Sequence, residues 1–128
     1  EGLPYSLKLT GRDTEAKAYW SNYRTGTEIP ITPGKEYVFT GLVKGDLAPD
    51  GVAEIRLHFF TKENRWAPIP GLSAEWDGVT AELKGKKEWT RLTVSCRAPE
   101  NAAKAVLFFR LTGKGSAWFG AAEFGEKK

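Results

Sequence analysis

Cationic and aromatic side chains share one parity in two strand-like segments of this sequence. Arg56, His58 and Phe60 alternate with apolar residues in one segment, and Phe108 and Arg110 do so in another. Because successive side chains of a strand point to opposite faces, each set lies on the face away from the core. Aromatic rings pack on the C–H face of a sugar, and arginine donates hydrogen bonds to its oxygen atoms. These five residues are therefore candidates for binding a sugar chain.

Further aromatic residues extend this candidate set. Trp20 and Tyr23 lie in a polar segment of which one side must face the core, and the pattern leaves open which ring is free. Trp66 and Trp76 lie in the irregular stretch 63–85, where each ring either forms a binding platform or tucks into the core.

Two further observations bear on the candidate surface. Lys44 has the same parity as the arginines in a third segment, and we expect it on the same surface. The competing interpretation buries Phe60 and Phe108 under the long loop and pairs Arg56 with a carboxylate such as Glu54.

The sequence carries no catalytic signature. A glycosidase needs two carboxylates about 5–9.5 Å apart around one bond, and no motif surrounds the remaining acidic candidates. These candidates are Glu54, Glu75, Asp77 and Glu82. A Gly-rich phosphate loop, a serine elbow and a zinc pattern are also missing. Cys96 lies in an apolar alternation, so we expect a buried, inert thiol. The chain is predicted not to be an enzyme.

Charge and length narrow the class of partner. The net charge is +3 and the sequence pI is about 9.0. The longest basic runs are pairs of lysines, so nucleic acid is not an expected partner. No apolar stretch approaches the ~18 residues of a membrane span, so no membrane partner is expected. The mild positive bias suits an anionic glycan, although solubility explains it equally well.

Period-2 alternation predicts strands along most of the chain, with Pro, Gly, Asp and Asn in the turns between them. The predicted strands are 5–10, 19–23, 37–44, 54–60, 79–83, 92–97, 105–112 and 116–124. This pattern indicates an all-β sandwich or barrel in one domain, residues 1–128, and the matched alternation in four strands predicts a two-sheet antiparallel sandwich. Its expected core comprises Tyr37, Phe39, Ile55, Leu57, Phe59, Leu92, Val94, Leu107 and Phe109. Trp89 is assigned to a core position and Trp118 to the closing strand. The chain enters a strand almost at once, so we expect it to be a piece of a longer polypeptide.

Four segments, in order, resemble the jelly-roll carbohydrate-binding modules attached to xylanases and glucanases, which have a galactose-binding-like fold. Residues 33–45 (PGKEYVFTGLVKG) resemble the Gly-Lys-x-Tyr-x-Phe strand of this family, and residues 5–11 (YSLKLTG) resemble an early strand. Residues 88–92 (EWTRL) with Ala98-Pro99, and residues 116–119 (SAWF), are similar to two later strands.

The resemblance implies a non-catalytic module that binds a polysaccharide or oligosaccharide. It also implies a covalently linked catalytic domain in the parent protein, and an extracellular or cell-surface location. The alternatives are a structural interdomain sandwich without a ligand and a small jelly-roll enzyme such as a lyase. The family commonly places acidic residues near the closing strand to hold a structural calcium ion, whereas this chain has Gly120-Ala121-Ala122 there. We therefore expect no cofactor, and weak or absent calcium binding.

Overall fold

The computed structural model describes residues 6–12 and 17–127 and contains eight strands and one short 3-10 helix. The strands are β1 (Ser6–Gly11), β2 (Lys17–Ser21), β3 (Glu36–Leu47), β4 (Val52–Phe60), β5 (Val79–Lys84), β6 (Lys86–Arg97), β7 (Lys104–Thr112) and β8 (Gly115–Glu126). The 3-10 helix, Asn22–Thr25, follows β2. Each described strand overlaps a predicted one, including β5 inside the long irregular stretch. Tyr5, the predicted start of the first strand, lies outside the described residues.

The strands form two antiparallel four-stranded sheets that face each other across the core. One sheet has the order β1-β8-β3-β6 and is called sheet I; the other has the order β2-β7-β4-β5 and is called sheet II. This arrangement confirms the predicted two-sheet antiparallel sandwich.

The core lies between the sheets and is built from the apolar parity of each strand. Phe39 from sheet I packs against Phe109 from sheet II, with ring centroids 5.9 Å apart, and Phe119 lies 4.9 Å from Phe109. All nine predicted core residues pack there, and Leu92 is the only one of the nine that is partly rather than fully buried. Cys96 is buried as predicted. Burial raises the pKa of its thiol, and the nearby negative charge of Glu36 raises it further.

Three expectations are corrected by the fold. Lys44 belongs to β3 and therefore lies on the outer face of sheet I, not beside the arginines. Tyr23 lies in the 3-10 helix, because the second strand ends at Ser21. Trp89 is half-buried in β6 and is not part of the core cluster. Within the described ranges, no helix has the length and apolar character needed to cross a membrane.

Candidate functional site

A cleft of 290 Å³ lies on the outer face of sheet II. It is lined by Lys17, Tyr19, Tyr23, Arg56, Trp66, Trp76, Phe108 and Arg110. These residues come from β2, the 3-10 helix, β4, the loop between β4 and β5, and β7. Strand pairing supplies the floor of the cleft, whereas the loop supplies its two tryptophans.

Cross-strand pairing sets the floor of the cleft. Arg56 in β4 lies opposite Phe108 in β7, and Arg110 in β7 lies opposite Tyr19 in β2. Side chains on one face of directly opposed positions are close enough to touch. Tyr19 and Phe108 are diagonal neighbours, and their ring centroids are 5.8 Å apart; Tyr23 lies edge-on to Phe108 at 5.9 Å. The result is a continuous aromatic strip flanked by two guanidinium groups.

A tight turn between Thr61 and Arg65 places Trp66 over the outer face of sheet II. The Thr61 N–H donates to the carbonyl of Arg65 over 2.8 Å, and Asn64 adopts a φ of +64°, a left-handed conformation that asparagine tolerates well. Phe60 and Trp66 then form an isolated antiparallel bridge, with ring centroids 4.8 Å apart. The Trp66 ring forms part of the wall of the cleft and covers the imidazole of His58, which lies 4.6 Å away.

His58 has the predicted parity but is completely buried beneath Trp66. Its Nδ1 accepts a hydrogen bond from the Phe59 N–H over 2.7 Å, so Nε2 carries the proton and donates to the carbonyl of Glu75 over 2.8 Å. Burial lowers the pKa of His58; the Glu75 hydrogen bond opposes this, Arg56 lowers the pKa further, and Asp77 raises it. The expected direct contact with a ligand is therefore corrected: His58 holds the loop against the sheet.

The loop approaches the sheet closely at Gly78. A Cβ atom at this position would lie 2.6 Å from the carbonyl oxygen of Leu57 and 3.0 Å from the Arg56 side chain. Only a glycine allows this approach without displacement of the loop. Two residues earlier, Trp76 projects into the cleft with 59% of its surface exposed. The Asp77 carboxylate meanwhile accepts a hydrogen bond from the Ala74 N–H over 3.0 Å, which stabilises the turn.

An ion pair lies at the base of the cleft. Glu54 Oε2 accepts hydrogen bonds from Arg56 Nε over 3.0 Å and from Arg56 Nη2 over 2.9 Å. The Glu54 carboxylate is largely buried, so this two-point contact satisfies a group that would otherwise be costly to desolvate. Arg110 Nη1 lies 4.0 Å from the same oxygen, beyond hydrogen-bond length. Arg56 is therefore held by two hydrogen bonds, whereas Arg110 forms a longer ion pair with the same carboxylate and lines the cleft.

Two depressions continue the cleft past Tyr23. The first is lined by Tyr23, Phe60, Asn64, Arg65, Trp66 and Glu75, and the second by Asn22, Tyr23, Gly26, Thr27, Glu28, Phe60, Asn64, Lys104 and Ala105. Lys104 Nζ donates to Glu28 over 3.0 Å and to Asn64 over 2.6 Å in the second depression. Tyr23 lines all three spaces, so they adjoin one another at this residue.

Asn22 fixes the turn that carries Tyr23. Its side-chain oxygen accepts from the Leu107 N–H over 2.8 Å, and its Nδ2 donates to the carbonyls of Thr27 and Ala105. These bonds tie the 3-10 helix to β7, and Tyr23 thereby stands between the cleft and both depressions.

The structure brings most of the predicted residues together. Arg56, Phe108, Arg110, Tyr23, Trp66 and Trp76 line the cleft, and Phe60 lines the adjoining depressions. The expectation that Trp20 contacts a sugar is also corrected, because its ring stacks on Phe109 at 5.5 Å and packs against the core. The candidate set omitted Lys17 and Tyr19, which line the cleft. Both residues have the parity opposite to that of Trp20. The sequence would have placed them on the outer face if it had been known that Trp20 faces the core.

Metal ligands are not clustered in the described part of the chain. No group of three or more His, Cys, Asp or Glu side chains in residues 6–12 and 17–127 is arranged to hold a metal ion. The expectation of weak or absent calcium binding stays a prediction.

The sandwich and its outer-face cleft define a class of fold. Solved structures with this fold include the carbohydrate-binding module TmCBM61, in complex with β-1,4-galactotriose; it covers 96% of this chain and 71% of its own, with 9% identity and a TM-score of 0.59. The enzymatically active domain of tailspike protein 4 of bacteriophage CBA120 gives a TM-score of 0.70 at 14% identity, over 95% of this chain and 15% of its own. The chain therefore has the two-sheet β-sandwich fold of carbohydrate-binding modules.

Sequence comparison finds relatives of much greater length. The chain is 30% identical over 104 residues to the tRNA3(Ser)-specific nuclease WapA of Bacillus spizizenii, which is 77% of this chain and 4% of that protein. It thus spans about 4% of the length of the curated relatives it matches. No family model matches the sequence.

Proposed function

We propose that this chain is a non-catalytic carbohydrate-binding module that binds a polysaccharide along the outer face of sheet II. The observation that supports this most is the cleft itself, where the rings of Tyr19, Trp76 and Phe108 lie beside the guanidinium groups of Arg56 and Arg110. A pyranose has an apolar C–H face that packs on aromatic rings and a rim of oxygen atoms that accept hydrogen bonds. The cleft offers both kinds of contact within one sugar-sized space.

The acid–base chemistry of a glycosidase has no counterpart in the lining of the cleft. Hydrolysis needs two carboxylates on either side of the scissile bond. The described residues that line the cleft include no Asp or Glu, and Glu54 beneath it is held by Arg56 in a two-point contact. This arrangement favours binding without hydrolysis.

We extend the proposal to the parent protein. The chain matches a small part of very long curated relatives and of a tailspike domain, as a module within a larger polypeptide would. In that setting it holds an attached domain, such as an enzyme, against a polysaccharide outside the cell or on its surface. No nucleic acid or membrane partner is proposed for the module itself.

Trp76 offers the sharpest test of sugar binding. Its ring is 59% exposed, so Trp76→Ala leaves the fold intact while it removes an aromatic surface from the cleft. We expect the affinity to fall by about tenfold or more, as when a central aromatic anchor is truncated. Leu72→Ala is the matched control, because Leu72 is 38% exposed in the same loop and lines none of the three spaces described.

The measurement is affinity electrophoresis against plant, algal and microbial polysaccharides, followed by calorimetry on each polymer that retards the wild type. Retention that is weakened by Trp76→Ala and unchanged by Leu72→Ala supports the proposal. Retention that neither variant alters places the site elsewhere. Failure of every polymer to retard the wild type favours the structural interdomain sandwich.

A further inference from the structure

We propose, on the basis of the function above, that the cleft selects a polysaccharide carrying negative charge over the neutral polymer of the same linkage. The charged groups are sugar carboxylates or sulfate esters, both of which present oxygen atoms to a guanidinium in the same way. This inference rests on the charges of the cleft, not on the overall charge of the chain.

The lining of the cleft is one-sided in charge. Among the described residues, Lys17, Arg56 and Arg110 line it, and no carboxylate does. Glu54 lies at the base with its side chain 10% exposed, next to both arginines. Arg56 alone satisfies it, through two hydrogen bonds to the same oxygen. Of the other two cations, Arg110 forms only a longer ion pair with this carboxylate, and Lys17 forms no ion pair with a described residue.

Arg110 is the first of these two charges. Its Nη1 is 4.0 Å from Glu54 Oε2, beyond hydrogen-bond length, and its side chain is 29% exposed. Its strand neighbours across the sheet are Tyr19 and Glu54, so the guanidinium lies between an aromatic ring and an already satisfied carboxylate. Arg110 thus lines the cleft and is not hydrogen-bonded to this carboxylate.

Lys17 is the second charge. It is exposed at the start of β2, and no ion pair joins it to any residue of the described ranges. An ammonium group and a guanidinium at the edge of one cleft repel each other, and a polymer with fixed negative charge relieves that repulsion. A neutral sugar accepts hydrogen bonds from the same groups but brings no negative charge to offset this repulsion.

The loop carboxylates Asp77 and Glu75 are not among the described residues that line the cleft. Asp77 is engaged with the Ala74 N–H, and Glu75 lines the adjoining depression together with Arg65. The charged sugar unit is therefore expected in the cleft beside Arg110, whereas the depression past Tyr23 accepts the neighbouring units.

The experiment compares polymers that differ in charge alone. Polygalacturonate, alginate and glucuronoxylan are each measured beside their carboxyl-reduced forms, and carrageenan is measured beside its desulfated form. We expect the wild type to bind at least one charged polymer about tenfold more tightly than its neutral counterpart, since a hydrogen bond to an ionised group is worth more than a neutral one. That affinity should fall as salt rises from about 50 mM to about 500 mM. The polymer pair that responds distinguishes carboxylate from sulfate.

Arg110→Gln and Lys114→Gln separate the local charge from the overall charge. Both remove one positive charge, but Lys114 is exposed in the turn between β7 and β8, outside the residues that line the cleft. Arg110→Gln should lower the affinity for the charged polymer by about tenfold, so that the charged and the neutral form bind with similar affinity. Lys114→Gln should leave both affinities unchanged.

The outcomes separate this inference from the proposed function. Equal binding of charged and neutral forms overturns the charge selection and leaves sugar binding intact. Equal losses in Arg110→Gln and Lys114→Gln also overturn it, because attraction to the net charge then explains the preference. Absence of binding to every polymer in both forms overturns the proposed function and this inference together.

Discussion

The outer faces of the two sheets carry the same kinds of side chain in different arrangements. On sheet I, Trp118 lies directly between Lys8 and Lys44 across the strands, and their Nζ atoms are 5.2 Å and 5.5 Å from the centre of its ring. On sheet II, Arg56 and Arg110 lie beside a group of rings that contact one another and line a cleft.

The two outer faces differ in whether their aromatic and cationic residues line a cleft. The two lysines of sheet I use the ring of Trp118 as their own partner, through cation–π contacts. Sheet II gains a concave surface because the loop after β4 folds back over it and adds Trp66 and Trp76 as walls. Composition alone does not separate these faces; the returning loop does.

The largest contrast between the faces should appear when one tryptophan is removed from each. Trp66→Ala uncovers His58 and removes ring contacts with Phe60 and Phe108, so we expect the free energy of unfolding to fall by about 3 kcal/mol. Trp118→Ala removes two cation–π contacts on an open face, and we expect a loss of about 1 kcal/mol. Urea denaturation of both variants measures the difference.

Polysaccharide affinity provides the second half of this comparison. Trp66→Ala should weaken binding strongly, whereas Trp118→Ala should leave it unchanged, provided that both variants unfold cooperatively. A loss of affinity in Trp118→Ala equal to that in Trp66→Ala would show that both faces take part in binding.

A smaller effect is expected where the loop meets the sheet. Gly78→Ala places a methyl group 2.6 Å from the Leu57 carbonyl oxygen, so the loop must move and carry Trp76 with it. We expect a loss of about 2 kcal/mol in stability, typical of added bulk at a tightly packed position, together with weaker sugar binding. Calorimetric melting and affinity electrophoresis report the two effects.

Gly125→Ala is the matched control for this substitution. Gly125 lies in β8, and a Cβ atom there would meet no other atom within 4 Å. If Gly78→Ala and Gly125→Ala have the same stability and affinity, close packing of the loop at Gly78 is not what shapes the cleft.

Alternation predicted the strands and their buried faces, and together with the resemblance to jelly-roll modules it favoured a sandwich over a barrel. A strand that is buried on one face has a strict period of two, so the core parity of β4 and β7 and the opposite parity of Arg56, Phe108 and Arg110 followed from the sequence. The assignment of strands to sheets did not follow, because parity is a property of one strand. Lys44 was placed with the arginines for that reason, although β3 belongs to sheet I.

The errors within the site arise from the loop. Whether His58 is free or covered depends on the turn at 61–65, which returns Trp66 over the imidazole. Such a turn depends on local hydrogen bonds and one left-handed residue, Asn64, and has no periodic signature. Trp20 and Tyr19 are adjacent in a short strand in which both faces are aromatic, so parity could not choose between them.

We expect the free energy of unfolding to depend on pH through the buried His58, which lies in sheet II beneath the wall of the cleft. His58 is the only histidine of the chain, and its side chain is the one that ordinarily titrates near neutral pH. In the folded state, burial lowers its pKa below the ordinary value of 6.5, with Arg56 lowering it further and Asp77 and the Glu75 carbonyl opposing. Above about pH 6.5 the histidine is neutral in both states and contributes no slope to stability.

As the pH falls below that value, the unfolded chain binds a proton that the folded chain does not, so the free energy of unfolding decreases. His58→Phe keeps a flat ring beneath Trp66 but removes the titration. It should be less stable than the wild type at about pH 7.5, because the hydrogen bonds to Phe59 and Glu75 are lost, and the gap should narrow towards about pH 5.5. Urea denaturation of both proteins across this range measures the gap. A gap that stays constant would mean that the fold accommodates the proton of His58 without cost, so that its pKa is the same in the folded and the unfolded state.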